Sequence, residues 1–259
     1  MSSRKLAIVT GASSGIGLEL AKCAARDGYD LIVAADTPSV DAGPALKDVG
    51  VDVQTIEADL ATRQGVEQLL GIVAGRPIDV LVANAGHGLG GAWLDQSADD
   101  WIHIVNTNVT GTLMLVQPIL RRMVERGEGK VLMTGSIAGH MAGAFQAVYN
   151  GSKAFIDSFS AAINEEIRDS GVTVTCLKPG ATETEFFGRA HMEDTKIGQA
   201  KKDDPADVAK TGWEAMKSGE PSVIYGIKNK LQVAGAELMT DAMTAKMHRA
   251  QAEPGKGWE

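Results

Sequence analysis

Cysteine is almost missing from this sequence: Cys23 and Cys176 are the only two in 259 residues. A disulfide framework or a thiolate zinc site needs more cysteines, closer together, so both read as small core residues of a reducing compartment. Histidine is sparse too, five residues scattered without the spacing of a metal centre, and no metal is expected. No apolar run approaches the about 20 residues of a membrane span. Arg4 and Lys5 precede only a short apolar stretch, residues 6–10, before Gly11, too short for the apolar region of a signal peptide, and the expected location is cytoplasmic. An excess of basic charge is also lacking. With 25 Lys and Arg against 33 Asp and Glu the formal net charge is -8, so no general field draws in nucleic acid or anionic membrane, and neither partner is expected.

What is present is a hydrophobic content of 44%, enough for a large core, and a regular alternation of elements. Short runs rich in β-branched residues fall at 6–10, 31–35, 51–56, 80–83, 131–134, 172–177 and 223–225, predicting seven strands. Apolar residues at helical spacing fall between them at 16–26, 65–74, 99–123, 148–169 and 205–218, with a weaker helical segment at 40–49. Such alternation predicts a mainly parallel sheet covered by helices on both faces, with no linker to divide residues 1–259 into two domains. A later segment, 231–247, sets Leu231, Ala234, Leu238, Ala242, Met243 and Met247 near one helical face, expected to pack on this or another subunit. Residues 183–204 lack clear periodicity and read either as a lid over a site or as a surface loop.

The first expected strand runs into Gly11-Ala12-Ser13-Ser14-Gly15-Ile16-Gly17 and then a helix. Backbone N–H groups at a helix N-terminus favour a pyrophosphate, and glycines permit the tight turn and the close approach. Asp36 follows the second expected strand, where a carboxylate can accept hydrogen bonds from an adenosine ribose and repel a 2′-phosphate. No Arg or Lys lies in the glycine loop or between residues 34 and 41, which favours NAD over NADP. A loop aspartate can also be a simple turn former, and NADP stays as the alternative.

Thr10 with the glycine loop resembles the TGxxxGxG pattern of the short-chain dehydrogenase/reductase family, and Asn84-Ala85-Gly86 resembles its NNAG element with Ala83 in place of the first Asn. Asn108, Ser136, the Tyr149-x-x-x-Lys153 pair and Pro179-Gly180 complete the ordered set, and the length resembles the single-domain branch. The resemblance implies a Rossmann-type doubly wound α/β fold and an oxidoreductase that passes hydride to or from a carbonyl or alcohol carbon. It also implies that Ser13, Ser14 and Ile16 join the glycines around the cofactor, and that Asp59 and Leu60 flank the adenine. Asn84, Ala85 and Gly86 would line the adenosine side, and Pro179, Gly180, Thr182 and Thr184 the nicotinamide side. Thr182 stands where an aliphatic residue is common. Lys153 would hold the nicotinamide ribose, Ser136 the reacting oxygen, and Asn108 a water in a proton relay. Helices around Asn108 and Tyr149 would form a homodimer or homotetramer interface.

Tyr149 and Lys153, four apart on an expected helix, share a face. A tyrosine pKa is ordinarily about 10, and bringing it near neutrality takes about 4 kcal/mol of differential stabilisation, which a buried cation can supply and a solvated one cannot. His87, Leu89 and Trp93 after the fourth strand, His140, Met141 and Phe145 after the fifth, and Phe186, Phe187 and Met192 in 183–204 suggest a mostly apolar secondary alcohol or ketone as substrate. The aromatics among them read equally as packing anchors, and His140 reads either as a substrate contact or as a solvated loop residue. A binding protein that senses the dinucleotide without chemistry is the rival class.

Overall fold

The structure, a computed structural model, describes residues 4–37, 46, 50–73 and 75–257. Most of the expected segment 40–49, and Ala74 at the end of 65–74, lie outside the described residues. Seven strands form one sheet: β1 (Leu6–Thr10), β2 (Asp30–Ala35), β3 (Val53–Glu57), β4 (Val80–Ala83), β5 (Gly129–Thr134), β6 (Val172–Lys178) and β7 (Ser222–Ile224). Their order is β3-β2-β1-β4-β5-β6-β7, and every described pairing is parallel. The chain runs outward from β1 to β3, then crosses back to set β4 beside β1. That reversal opens a crevice at the carboxyl ends of β1 and β4, the place where open α/β sheets bind ligands.

The period-2 geometry of strands divides the core in two. Leu6, Ile8, Leu81, Val131 and Met133 point to one face, beneath α2 (Arg63–Val73), α4 (Thr112–Arg126) and α5 (Ala147–Glu166) through Leu69, Ile119 and Ile156. Ala7, Val9, Val33, Val82 and Leu132 point to the other, beneath α1 (Gly15–Arg26) and α8 (Pro205–Ser218) through Leu20, Trp213 and Met216. Each large side chain fully buried this way contributes about 1.5–3 kcal/mol. Local signals delimit the last of these helices: Asp204 accepts from Ala206 N, Pro205 opens α8, and Gly219 closes it at φ 78°.

Two sequence expectations need correction. The periodic stretch 99–123 is not a uniform α-helix: α3 (Ala98–Val105) passes through a π turn, Asn106–Gly111, into α4. The widened turn carries Asn108 inward, and the following Gly111 lies so close to the β3–α2 loop that a Cβ there would stand 1.9 Å from Leu60 O. The stretch 231–247 is two helices, α9 (Ile227–Glu237) and α10 (Asp241–Ala252), divided where Thr240 caps the second by accepting from Met243 N. Most of the expected apolar face lies outward, while Met247 turns to the cavity. Leu231, Ala234, Leu238, Ala242 and Met243 are exposed, while Val233, Ala236, Thr244, His248 and Ala252 face inward.

Residues 183–204 contain two short helices, α6 (Phe186–Arg189) and α7 (Lys196–Gln199), and are closed on the loop after β6 by the Thr182–Asp203 bridge. No described helix is long and apolar enough to cross a membrane.

Candidate active site

A cavity of about 410 Å³ opens at the carboxyl ends of the strands. One wall is the glycine loop, contributing Gly11, Ser13, Ser14, Gly15, Ile16 and Gly17. Gly11 has φ 64° and Gly15 φ 55°, conformations that favour glycine. A Cβ on Gly17 would stand 2.0 Å from Gly11 O, so only glycine lets α1 begin so close to β1. No side chain caps the N-terminus of α1, whose first-turn N–H groups lie at this wall.

Asn84 ties three strands together. Its Nδ2 donates to Thr10 O and Gly11 O, its Oδ1 accepts from Thr134 Oγ1, and its own N–H and that of Ala85 donate to Thr10 Oγ1. Asn84, Ala85, Gly86, Asp59 and Leu60 all line the cavity. So does Asp36, one residue past β2, where His87 Nε2 lies 2.8 Å from Asp36 Oδ2. That hydrogen bond, with the nearby Arg189 charge adding a smaller pull, holds the Asp36 carboxyl below the usual range despite partial burial. Arg189 itself pairs with Glu185. A basic group therefore reaches Asp36 from far along the chain, which the local sequence around residue 36 does not reveal. His87, expected toward a substrate, stands instead against the Asp36 end of the cavity.

Ser136, Tyr149 and Lys153 line the other end, and Asn108 lies buried near Lys153 behind Gly86, outside the lining. Asn108 Oδ1 accepts from His87 N at 2.8 Å, and its Nδ2 donates to His87 O and to Ser152 Oγ. Both polar atoms of the amide are thus engaged with protein. Ser136 caps a 3-10 turn, Ile137–His140, by accepting from Ala138 N. Tyr149 and Lys153 lie one turn apart on α5, and Lys153 Nζ donates to Thr134 O at 2.8 Å while lying 5.9 Å from the Tyr149 ring centre. Burial pushes the Tyr149 phenol up to about 12, a hydrogen bond with Ser136 pulls it down, and the charge of Asp157 pushes it up further. Burial lowers the Lys153 pKa and Asp157 raises it. The phenol here keeps its proton, rather than being drawn toward phenolate by the lysine alone.

Pro179, Gly180, Thr182 and Thr184 line the cavity between these ends, and Phe186 and Phe187 line the apolar part, with the Phe186 ring 5.1 Å from that of Tyr149. Met141 lines it as well. Five residues expected at the substrate do not. Trp93 is 55% exposed on a separate 3-10 turn, Trp93–Asp95. Phe145, at φ 65°, packs against Phe187, Ala190 and Met192 under the Arg249 guanidinium. His140 turns from the cavity into a charged cluster, with Lys178 Nζ at 3.1 Å, Glu237 Oε1 at 3.2 Å and Asp157 Oδ2 at 3.6 Å. Leu89 is absent from the lining, and Met192 is wholly buried behind it.

Sequence reasoning missed Asp157, although its position four after Lys153 on one helix face signals it. Its Oδ1 accepts from Ser136 N and Cys176 Sγ, while Oδ2 is buried with no hydrogen bond, 3.7 Å from Lys178 Nζ. Met247, His248 and Gln251 of α10, and Lys201 and Lys228 at the rim, were also missed, and nothing local in the sequence links them to the cavity.

These residues fit a nicotinamide dinucleotide. A backbone cradle that any Cβ would fill and the open N-terminus of α1 suit a pyrophosphate, Asp36 suits a ribose, and the cavity continues from there to Tyr149 and Lys153. Residues 5–194 match the family model described as short chain dehydrogenase. A Streptomyces coelicolor protein named "Putative ketoacyl reductase" is 33% identical over 198 residues, covering 73% of this chain and 76% of that protein. Among solved structures, a short-chain dehydrogenase from Sphingobium yanoikuyae in complex with NADPH is 26% identical with a TM-score of 0.79, over 92% of this chain and 96% of that one. A short chain dehydrogenase/reductase from Burkholderia phymatum in complex with NAD has a TM-score of 0.78 at 22% identity, over 90% and 92%, a likeness of fold alone.

Proposed function

Given that the chain belongs to the short chain dehydrogenase family and is an oxidoreductase working with a nicotinamide dinucleotide, we propose that it interconverts a hydrophobic secondary alcohol and its ketone with NAD, Tyr149 acting as acid/base. The observation that carries this reading is the convergence of Tyr149, Ser136 and Lys153 on a cavity whose far end holds Asp36, with Asn108 buried behind the wall against His87.

When bound, the nicotinamide supplies or accepts the hydride. In the direction of reduction, the Tyr149 phenol gives its proton to the substrate oxygen as negative charge develops there, and the Ser136 hydroxyl donates a second hydrogen bond to the same atom. Lys153, held at Thr134 O, has donors left for the ribose hydroxyls. Asn108 anchors the His87 backbone and keeps the α3–α4 turn against the cavity floor, beside Lys153. Phe186, Phe187, Ile137, Ile197 and Met141 offer apolar surface to the substrate, and residues 183–204 serve as the lid. Asp36, expected to repel a 2′-phosphate, favours NAD; Arg189, close enough to act on Asp36, supports NADP as the second reading. Exposed Ile102, Val105 and Phe155 on α3 and α5 support a homo-oligomer formed through those helices, within a single-domain protein. Two free, buried thiols suit a reducing compartment.

The test follows cofactor absorbance at 340 nm over a panel of hydrophobic ketones and alcohols, with NAD(H) and NADP(H) in parallel. Turnover of at least one member, faster with NAD, is expected. Cofactor binding without turnover of any member would remove the catalytic reading, and tighter binding of NADPH would remove the NAD preference.

A further inference from the structure

Helix α10 is fastened to the loop that joins the Ser136 turn to α5. Thr244 Oγ1 accepts from Ala142 N at 3.2 Å, His248 Nδ1 lies 2.8 Å from Ala144 O, and the Arg249 guanidinium covers the Phe145 ring. Ser136 and Tyr149, at the two ends of this loop, are the groups that meet the reacting oxygen. The loop and the α10 face against it therefore border whatever the substrate carries next to that oxygen.

Two polar side chains stand there. His248 is 7% exposed and Gln146 3%, and both line the cavity. A carbonyl only accepts, so the contact with Ala144 O places a hydrogen on His248 Nδ1, and in the neutral ring, which burial favours, Nε2 is a bare acceptor. Nε2 has no hydrogen-bond partner among the described residues, and neither has the side-chain amide of Gln146, which does not cap α5. Neither group is among the sealed polar atoms, such as Asp157 Oδ2, that lack both partner and access. Polar groups buried to this degree are ordinarily paired, by protein, by water or by a ligand. A hydroxyl answers both at once: its hydrogen goes to Nε2, and its oxygen accepts from the Gln146 amide.

We propose that His248 and Gln146 form a subsite for a second, unreacting hydroxyl of the substrate, so that the preferred compound is a hydroxylated ketone or the matching diol with an otherwise apolar body. The inference rests on the reading of this cavity as the place where Tyr149 serves alcohol and ketone interconversion.

Octan-2-one and its derivatives with one hydroxyl at each carbon from 3 to 8 form a matched set of probes. The ratio of kcat/KM for each hydroxyketone to that for octan-2-one is measured at pH 8 in the wild type, His248→Phe and Gln146→Met. At least one hydroxyketone is expected to be favoured about tenfold by the wild type, the worth of well-paired hydrogen bonds, and by less than about twofold in His248→Phe. Gln146→Met, on the other element, carries the same expectation and decides if His248→Phe folds poorly. A wild type that favours none of the hydroxyketones, or a preference that His248→Phe keeps, would overturn the proposal, the two groups then holding solvent alone. Calorimetric titration of the same compounds into the protein saturated with oxidised cofactor, where a ketone binds without being reduced, separates the subsite from the reading beneath it. If a hydroxyketone binds about tenfold tighter than octan-2-one but none of the set is reduced, the subsite stands and the chemistry at Tyr149 falls. If octan-2-one is reduced and no hydroxyketone is favoured in rate or affinity, the subsite alone falls.

Discussion

The proton of Tyr149 sets the chemistry at the scale of single residues. With burial holding the phenol at about 12, it is protonated throughout the neutral range and ready to serve as an acid. Oxidation needs the opposite form, so its rate is expected to rise with pH between 7 and 9, while reduction stays level there and falls only as the phenol begins to ionise. Initial rates measured in both directions over that range check the sign, and an oxidation rate falling from pH 7 to 9 would contradict it. Lys153 carries a different load, because its ammonium is the buried cation beside both the phenol and the expected ribose position. Lys153→Ala is expected to weaken cofactor binding about tenfold and to cut turnover by about 10² or more, read by calorimetry and by kcat. That Tyr149, Lys153 and Ser136 share one cavity was legible because their order and spacing match a family pattern, while the burial of Asn108 behind the wall was not. His140 was not. Its place between Ser136 and Tyr149 suggests the cavity, but its ring is drawn the other way by Lys178, Glu237 and Asp157, which come from three separate elements.

For whole elements, boundaries follow capping and close approach more than hydrophobic pattern. The strands were readable from β-branched runs, and their ends differ from expectation by at most two residues, β1 and β4 not at all. The π turn was not readable, since Asn106–Gly111 continues the helical spacing and reveals itself only through the contact of Gly111 with Leu60 O. The break between α9 and α10 left a faint signal in Thr240-Asp241, a helix-capping pair within an otherwise periodic stretch. Gly17→Ala tests the first turn of α1: the added Cβ has no room beside Gly11 O, so a loss of about 1–3 kcal/mol of stability is expected, with weakened cofactor binding, measured by denaturant melts and calorimetry. Helix α10 gives a test in pH. Burial keeps the His248 pKa below its ordinary value, partly offset by the bond from Nδ1 to Ala144 O, so the packed helix favours the neutral ring. The stabilisation is complete above about pH 6.5 and is lost as pH falls from there through the lowered value. Hydrogen exchange in residues 241–252, corrected for intrinsic rate, is expected to increase from pH 7 to pH 5, and this increase should be absent in His248→Gln.

Across the whole molecule, the site exists because the strand order reverses between β1 and β4 and gathers loops that are far apart in sequence. The alternation of strands and helices made the layered fold legible. The meeting of Asp36 with His87 and Arg189 was not, since it depends on the sheet order and on the path of residues 183–204. A ligand bridging these parts must stabilise them together: NAD+ at about 100 times its Kd should add about 2.7 kcal/mol and raise the Tm by about 5–10 °C. The central claim, that cofactor binding and proton transfer are separate tasks with Tyr149 performing the second, is tested most directly by Tyr149→Phe. NAD+ affinity measured by calorimetry should stay within about twofold, because the ring keeps its packing against Phe186, while single-turnover hydride transfer should slow by about 10²–10⁴. Hydride transfer at close to the wild-type rate in that variant would contradict the assignment.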